Sequence, residues 1–114
     1  MKSEKTEIKN PEGKLGVLIP GLGAVSTTFI AGVMMIRRGQ NKPIGSLSQM
    51  GKLRTGTGAN AKEVNIKDFI SLADLKDMEF GGWDIFEDTA YESAANAQVL
   101  NKTDLDLVKN ELSE

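Results

Sequence analysis

Apolar residues dominate one stretch of the chain, which runs from Leu15 to Ile36 without a charged side chain. With the preceding Lys14, its first residues read KLGVLI (residues 14–19), an apolar run without alternation that is typical of a strand buried on both faces of a parallel sheet. PGLG then supplies turn residues. From Ser26 onward, apolar positions recur at spacings of three and four, which predicts a helix. These positions are Phe29, Ile30, Val33 and Met34.

The same run is also long enough to cross a bilayer as a helix, because about 20 uncharged residues suffice. The arginine pair at residues 37–38 would match a cytoplasmic flank. Against this, Pro20, Gly21 and Gly23 are poor helix formers in the middle of the run. A water-exposed helix also accounts for the arginines at its carboxyl end and for Gly39 as its C-cap. We therefore favour a strand, a glycine turn and a helix, and expect no membrane segment.

The glycine turn occupies the position of the G-x-G-x-x-G fingerprint of dinucleotide sites. Gly21 would allow the tight turn, Gly23 would let the backbone approach a pyrophosphate, and the helix amides would meet the phosphate charge. Ser26 replaces the third glycine and is also a candidate helix cap. The candidate cofactor-binding residues here are Gly21, Leu22, Gly23, Ala24, Val25 and Ser26. A structural turn that binds nothing is the alternative.

A dinucleotide site usually has an acidic residue about 20 positions after the glycine turn, where it holds the ribose. The segment predicted as the second strand, Lys42–Gln49, contains no acid. Three explanations stay open: a 2′-phosphorylated cofactor held by Lys52 and Arg54, a ribose held from elsewhere in the chain, or no dinucleotide at all.

Turn-forming residues mark the middle of the chain. Residues 51–65 are rich in Gly, Thr, Asn and Lys, which predicts a mobile loop. Ser71 and Asp74 have capping-box spacing, which predicts a short helix over residues 71–78.

A third strand is predicted over FGGWDIF, residues 80–86. Within it Asp84 is a charge among apolar residues, so it lies either at an exposed strand end or against a ligand. Two helices are predicted next, over residues 88–100 and 102–114, the second with Thr103 as N-cap. The buried side of the first would carry Ala90, Ala94, Ala97 and Val99.

Composition narrows the chemistry further. The 114 residues suit about one domain, and 26% charged with 39% hydrophobic residues is ordinary for a soluble globular protein. The absence of cysteine excludes disulfides and thiolate chemistry, and the absence of histidine removes the commonest base and metal ligand. No metal site is expected. The basic residues between Arg37 and Lys62 suit a phosphate-bearing ligand, or form an uneven solvated surface.

Three separated blocks closely resemble the amino-terminal region of myo-inositol-phosphate synthases: KLGVLIPGLGAVSTTFIAGV, PIGSLSQMG and DLKDMEFGGWDIFEDTAYESAANAQVL. The resemblance extends over nearly everything from Lys14 onward. It implies an α/β fold, a partial Rossmann-type NAD-binding fold with a short parallel sheet of about three strands flanked by helices. Residues 1–13 would be a mixed-charge tail and residues 14–114 an incomplete NAD-binding domain.

The resemblance also implies an activity. The family isomerises glucose 6-phosphate to myo-inositol 1-phosphate, also numbered 3-phosphate, by NAD-mediated oxidation, aldol-type cyclisation and reduction by the same NADH. It implies a cytoplasmic homo-tetramer that serves inositol and phospholipid biosynthesis, without a nucleic-acid or membrane partner.

The resemblance assigns the adenosine ribose to Asp84, with Ile85 beside it. Many family members have glycine and asparagines at the positions of Ala24, Val25 and Ser26, so backbone amides would have to hold more of the pyrophosphate here.

The resemblance further implies that the catalytic lysines, the substrate phosphate site and the tetramer interface lie downstream of Glu114. We therefore expect this chain alone to be an inactive fragment. The alternative is a non-enzymatic interaction module or remnant that self-associates or pairs with a separate catalytic half.

Overall fold

The computed structural model describes Glu7 and residues 9–114. Within these residues the strands are β1 (Leu15–Pro20), β2 (Lys52–Thr55), β3 (Lys62–Asn65) and β4 (Met78–Trp83). The helices are α1 (Ala24–Arg37), α2 (Leu47–Met50), α3 (Ile66–Phe69), α4 (Ala90–Ala97), α5 (Lys102–Leu107) and α6 (Lys109–Leu112).

The chain divides into two compact units. The βα unit contains Lys14–Lys42 and Leu75–Glu114, and the hairpin unit contains Pro43–Asp74 with the described residues that precede Lys14.

The βα unit is built on β1 and β4, which pair in parallel with Leu15 opposite Met78 and Pro20 opposite Trp83. Helix α1 packs on this pair, α4 and α6 pack on α1, and α5 packs on α4. The buried apolar residues are Ile30, Ala31, Val33, Met35, Ala94, Leu105, Val108 and Leu112. The predicted partial Rossmann-type α/β fold with a short parallel sheet is thereby confirmed. The predicted strand, turn and helix over the long apolar run are confirmed as well.

Two details of the predicted sheet are wrong. In the described residues the parallel sheet has two strands rather than three, because residues 42–49 do not form a strand. The strand β1 is also not buried on both faces, since Leu18 is 73% exposed. The described helices cover only the face that carries Ile19 and Phe80, which leaves the Leu18 face open.

The end of α1 is fastened to the start of β4 by one side chain. The Nε of Arg37 donates to the carbonyl of Leu75 at 2.7 Å, and an Nη donates to the carbonyl of Met78. The guanidinium also lies 6.0 Å from the centre of the Phe80 ring, which packs edge-to-face on Phe29. These contacts fix the orientation of α1, and therefore of its first turn, against the parallel strands.

In the hairpin unit, β2 and β3 pair in antiparallel fashion with Lys52 opposite Asn65 and Thr55 opposite Lys62. The loop predicted over residues 51–65 is therefore wrong in secondary structure. Gly56 adopts a φ of +81° and Gly58 a φ of +57°, so the glycines that suggested a loop make the reversal between two short strands.

The strand predicted over Lys42–Gln49 is a turn followed by α2. Pro43 cannot donate a hydrogen bond and Gly45 has a φ of +86°, so this backbone is unsuited to a sheet. Ile44 and Leu47, its large apolar residues, are 83% and 73% exposed.

The helix predicted over residues 71–78 is replaced by a 3₁₀ turn at Leu75–Asp77 that leads directly into β4. The hydroxyl of Ser71 donates to the side chain of Asn10 at 2.6 Å instead of capping a helix. The strand that follows ends at Trp83 and not at residue 86.

The carboxyl-terminal helices begin and end differently from the prediction. Asn101 rather than Thr103 is the N-cap, because its side chain accepts the amide of Asp104 at 2.8 Å. The helix expected over 102–114 is divided at Val108 into α5 and α6. Of the residues predicted on the buried side of α4, Val99 is 59% exposed, because the backbone turns left-handed after Ala97. Ala94 is buried as predicted.

None of the helices in the described part of the chain combines the length and apolar character that a membrane span needs.

Candidate functional site

The turn between β1 and α1 is shaped by a glycine with a left-handed backbone. Gly21 has a φ of +97°, which other residues adopt only with strain, and its amide donates to the carbonyl of Trp83 at 2.7 Å. The chain thus leaves β1 in a tight turn that is tied to the end of β4. This is the conformation expected of the first glycine of the fingerprint.

The first turn of α1 presents backbone amides without a side-chain cap. Gly23 is the N-cap, and it has no side chain with which to accept an amide. The hydroxyl of Ser26 donates to the carbonyl of Gly21 at 2.9 Å, so the capping role predicted for Ser26 is wrong. The first amides of a helix have no partner within the helix, and the helix dipole makes this end positive. The amides of residues 24–26 are therefore suited to an anion.

Open space adjoins this helix start. A Cβ built on Gly23 would meet no atom within 4 Å, and its φ of −87° is accessible to any residue. Neither packing nor backbone strain within the described residues therefore requires glycine there. Val25, in the same first turn, is 85% exposed.

Asp84 lies directly after β4, so it stands at a strand end, but it is half-buried and not fully exposed there. The other predicted alternative, a position against a ligand, stays a prediction. Its Oδ2 accepts the amide of Leu22 at 2.8 Å, and its Oδ1 accepts the amide of Ile85 at 2.7 Å and a longer contact from Phe86 at 3.4 Å. These bonds, foremost the one from Leu22, hold the pKa of the Asp84 carboxyl below its ordinary range despite an opposing effect of burial. Asp84 is therefore a carboxylate at neutral pH.

The structure brings the glycine turn and Asp84 together because β1 and β4 are parallel and end at the same edge. Ligands of open α/β sheets bind outside this edge. Ile85 and Phe86 are 89% and 67% exposed beside Asp84. Lys52 and Arg54, the residues considered above for a 2′-phosphate, both belong to the hairpin unit.

Sequence reasoning missed the contact between Leu22 and Gly82. A Cβ on Gly82 would lie 2.7 Å from Cδ2 of Leu22 and 3.0 Å from the carbonyl oxygen of Ile19. The paired glycines before the tryptophan were the available signal, since a glycine inside a strand marks a close approach.

A parallel strand pair with a glycine turn and an uncapped helix start at its carboxyl edge defines a Rossmann-like α/β protein. A model of an NAD-binding domain, described as Myo-inositol-1-phosphate synthase, matches residues 15–114. Inositol-3-phosphate synthase 1 of Bacteroides thetaiotaomicron is 51% identical over 109 residues, which are 95% of this chain and 25% of that protein. Inositol-3-phosphate synthase isozyme 1 of Arabidopsis thaliana is 35% identical over 118 residues, covering 92% of this chain and 22% of that protein.

The chain belongs to the myo-inositol-1-phosphate synthase family, which confirms the resemblance carried by the three sequence blocks. It spans about a quarter of the length of these relatives. The crystal structure of inositol-3-phosphate synthase from Caenorhabditis elegans matches with a TM-score of 0.76 at 21% identity, over 86% of this chain and 22% of that one. This likeness shows the shared fold.

Proposed function

We propose that this chain is the NAD-binding part of an inositol-phosphate synthase, with residues 14–114 as an incomplete NAD-binding domain after a tail at residues 1–13. The observation that carries the proposal is the uncapped first turn of α1 beside the carboxylate of Asp84 at one sheet edge. An anionic diphosphate and a neighbouring ribose need such a pair of groups.

The diphosphate of NAD would lie against the amides of Ala24, Val25 and Ser26. Gly23 permits the close approach, because a ligand can occupy the space that any side chain there would fill. Alanine and valine offer no side-chain donors, and the Ser26 hydroxyl already donates to Gly21. Backbone amides and the helix dipole would therefore supply the attraction.

The ribose would donate its hydroxyls to the free acceptor positions of Asp84. A carboxylate has about four acceptor sites, and the short bonds from Leu22 and Ile85 use one on each oxygen. The exposed side chain of Ile85 would then provide apolar contact next to the ribose.

The whole enzyme would isomerise glucose 6-phosphate to myo-inositol 1(3)-phosphate. Bound NAD would supply the hydride acceptor for the sugar and return the hydride at the end. The residues of this chain would hold and orient the cofactor, and catalytic groups would come from the rest of a full-length enzyme. We accordingly expect the 114-residue chain alone to be inactive, and the whole enzyme to be a cytoplasmic homo-tetramer.

The proposal is tested by titrating NAD into the purified chain and following the fluorescence of Trp83. This tryptophan is the one in the sequence, it precedes Asp84 and it is 58% exposed. Saturable quenching is expected, with weaker binding by Gly23→Ala. Gly16→Ala is the matched control, since it also adds a methyl group where no atom lies within 4 Å. Absence of saturable binding at millimolar NAD would contradict the proposal.

An interaction module is the second candidate, and the open sheet face favours it. Leu18 and Trp83 lie on the same face of the β1–β4 pair and are 73% and 58% exposed. Sedimentation velocity over a concentration series separates the candidates. A chain that stays monomeric throughout, or whose self-association is unchanged by Leu18→Lys, speaks against this second function.

A further inference from the structure

Leu22 is held on two sides, by a residue of β4 and by a residue of the segment that follows β4. Its amide donates to Oδ2 of Asp84 at 2.8 Å. Its side chain lies over Gly82, where an added Cβ would be 2.7 Å from Cδ2 and 3.2 Å from Cγ. We call these three residues, Leu22, Gly82 and Asp84, the Leu22 anchor.

The Leu22 anchor holds the turn at the residue between the two fingerprint glycines. One residue earlier, the amide of Gly21 donates to the carbonyl of Trp83 at 2.7 Å. Two successive amides of the turn are thus bonded to the end of β4. The amide of Leu22 is already engaged, so the amides suited to an anion begin after it.

The direction of those later amides depends on where the Leu22 anchor places the turn. Glycines on both sides of Leu22 give the backbone more conformations than other residues would, so an external contact is needed to select one. A turn that populates its binding conformation for only a fraction of the time binds its ligand more weakly by that fraction.

We propose that Asp84 is a positioning residue for the diphosphate end of NAD, which it orders through the Leu22 anchor, in addition to any contact with the ribose. This inference rests on the proposed function, because it takes NAD as the ligand of the turn. Gly82 contributes to the same positioning, because its lack of a side chain leaves the space that the Leu22 side chain occupies.

Asp84→Asn separates positioning from ribose contact. An asparagine has one acceptor oxygen, so it cannot accept the amides of both Leu22 and Ile85 on separate oxygens as the carboxylate does. Isothermal titration of the full 114-residue chain with inorganic pyrophosphate, a probe without ribose, reports the diphosphate site alone. We expect roughly fivefold weaker pyrophosphate binding by Asp84→Asn, the scale of one lost hydrogen bond. Asp88→Asn, which alters an exposed carboxylate outside the site, should bind like the unaltered chain.

Amide hydrogen exchange of Leu22 in the unaltered chain gives a second readout that needs no variant. Leu22 lies outside α1 and β1, so slow exchange of its amide supports the Leu22 anchor, and exchange at the rate of an unprotected amide overturns it. The NMR spectrum gives a further readout: the Leu22 amide resonance should shift in Asp84→Asn and should stay in place in Asp88→Asn.

The outcomes are distinguishable. Unchanged pyrophosphate affinity with weaker NAD affinity in Asp84→Asn would make Asp84 a ribose contact alone, which overturns the inference and leaves the proposed function standing. Failure of the unaltered chain to bind either pyrophosphate or NAD would overturn both. Loss of affinity for both ligands together with faster Leu22 exchange is the result that we expect.

Discussion

Gly21→Ala should mainly lower the stability of the folded chain, whereas Gly23→Ala should mainly lower its affinity for NAD. At Gly21 the φ of +97° strains any L-residue, while a new Cβ would meet nothing within 4 Å. The cost of Gly21→Ala is therefore the backbone cost alone, about 1–2 kcal/mol of unfolding free energy. At Gly23 the φ of −87° is ordinary and the space is open, so Gly23→Ala should cost no more than about 1 kcal/mol, the preference for glycine over alanine at an N-cap.

NAD binding should depend directly on Gly23. The methyl group of Gly23→Ala would occupy the space through which the diphosphate approaches the helix amides, so NAD affinity should fall about tenfold or more, or by at least about 1.4 kcal/mol. Urea unfolding followed by Trp83 fluorescence measures the stability, and an NAD titration on the same samples measures the affinity. Full NAD affinity in a stable Gly23→Ala chain would refute the placement of the diphosphate. Unchanged stability of Gly21→Ala would refute the left-handed turn.

Three further predictions concern the βα unit. Gly82→Ala should lower the unfolding free energy by about 1–3 kcal/mol, because the new Cβ would lie 3.0 Å from the backbone carbonyl oxygen of Ile19 as well as 2.7 Å from the Leu22 side chain. Gly16→Ala, on the partner strand with open space around it, is its control in urea unfolding. Leu105→Ala should cost about 2–5 kcal/mol because the side chain is 4% exposed, whereas Leu18→Ala at 73% exposure should cost far less. The pKa of Asp84 is lowered in the folded chain, so its contribution to stability is present above the ordinary aspartate range and is lost as the pH falls through the folded value. Acid unfolding of Asp84→Asn should lack this component, and an unaltered acid profile would contradict the role of the backbone bonds.

Local patterns predicted the strand, turn and helix at the start of the βα unit. The apolar run changes period at the glycines, and Arg37 at the end of the helix agrees with its dipole, so several signals point to one structure. In the hairpin unit, the local sequence patterns do not agree on one structure. Its strands β2 and β3 have four residues each and are mostly exposed, so neither alternation nor burial distinguishes them from a loop. These strands are defined by their antiparallel pairing with each other, in which Arg54 lies opposite Glu63.

The binding roles of the candidate site residues stay predictions, and the contacts between these residues could not be predicted from the sequence. The position of Asp84 inside an apolar segment indicated a charge with a partner, and the glycine spacing indicated a phosphate turn. The partner is the amide of Leu22, 62 residues away in sequence. Only the parallel register of β1 and β4 brings these groups together, and no local pattern encodes that register.

An NMR titration of the ¹⁵N-labelled chain with NAD tests most directly whether NAD binds at the glycine turn. We expect saturable shifts concentrated on the amides of Gly23, Ala24, Val25, Ser26 and Ile85. Shifts confined to other parts of the chain, such as β2 with Lys52 and Arg54, or no saturable shifts at millimolar NAD, would contradict an NAD site at the glycine turn.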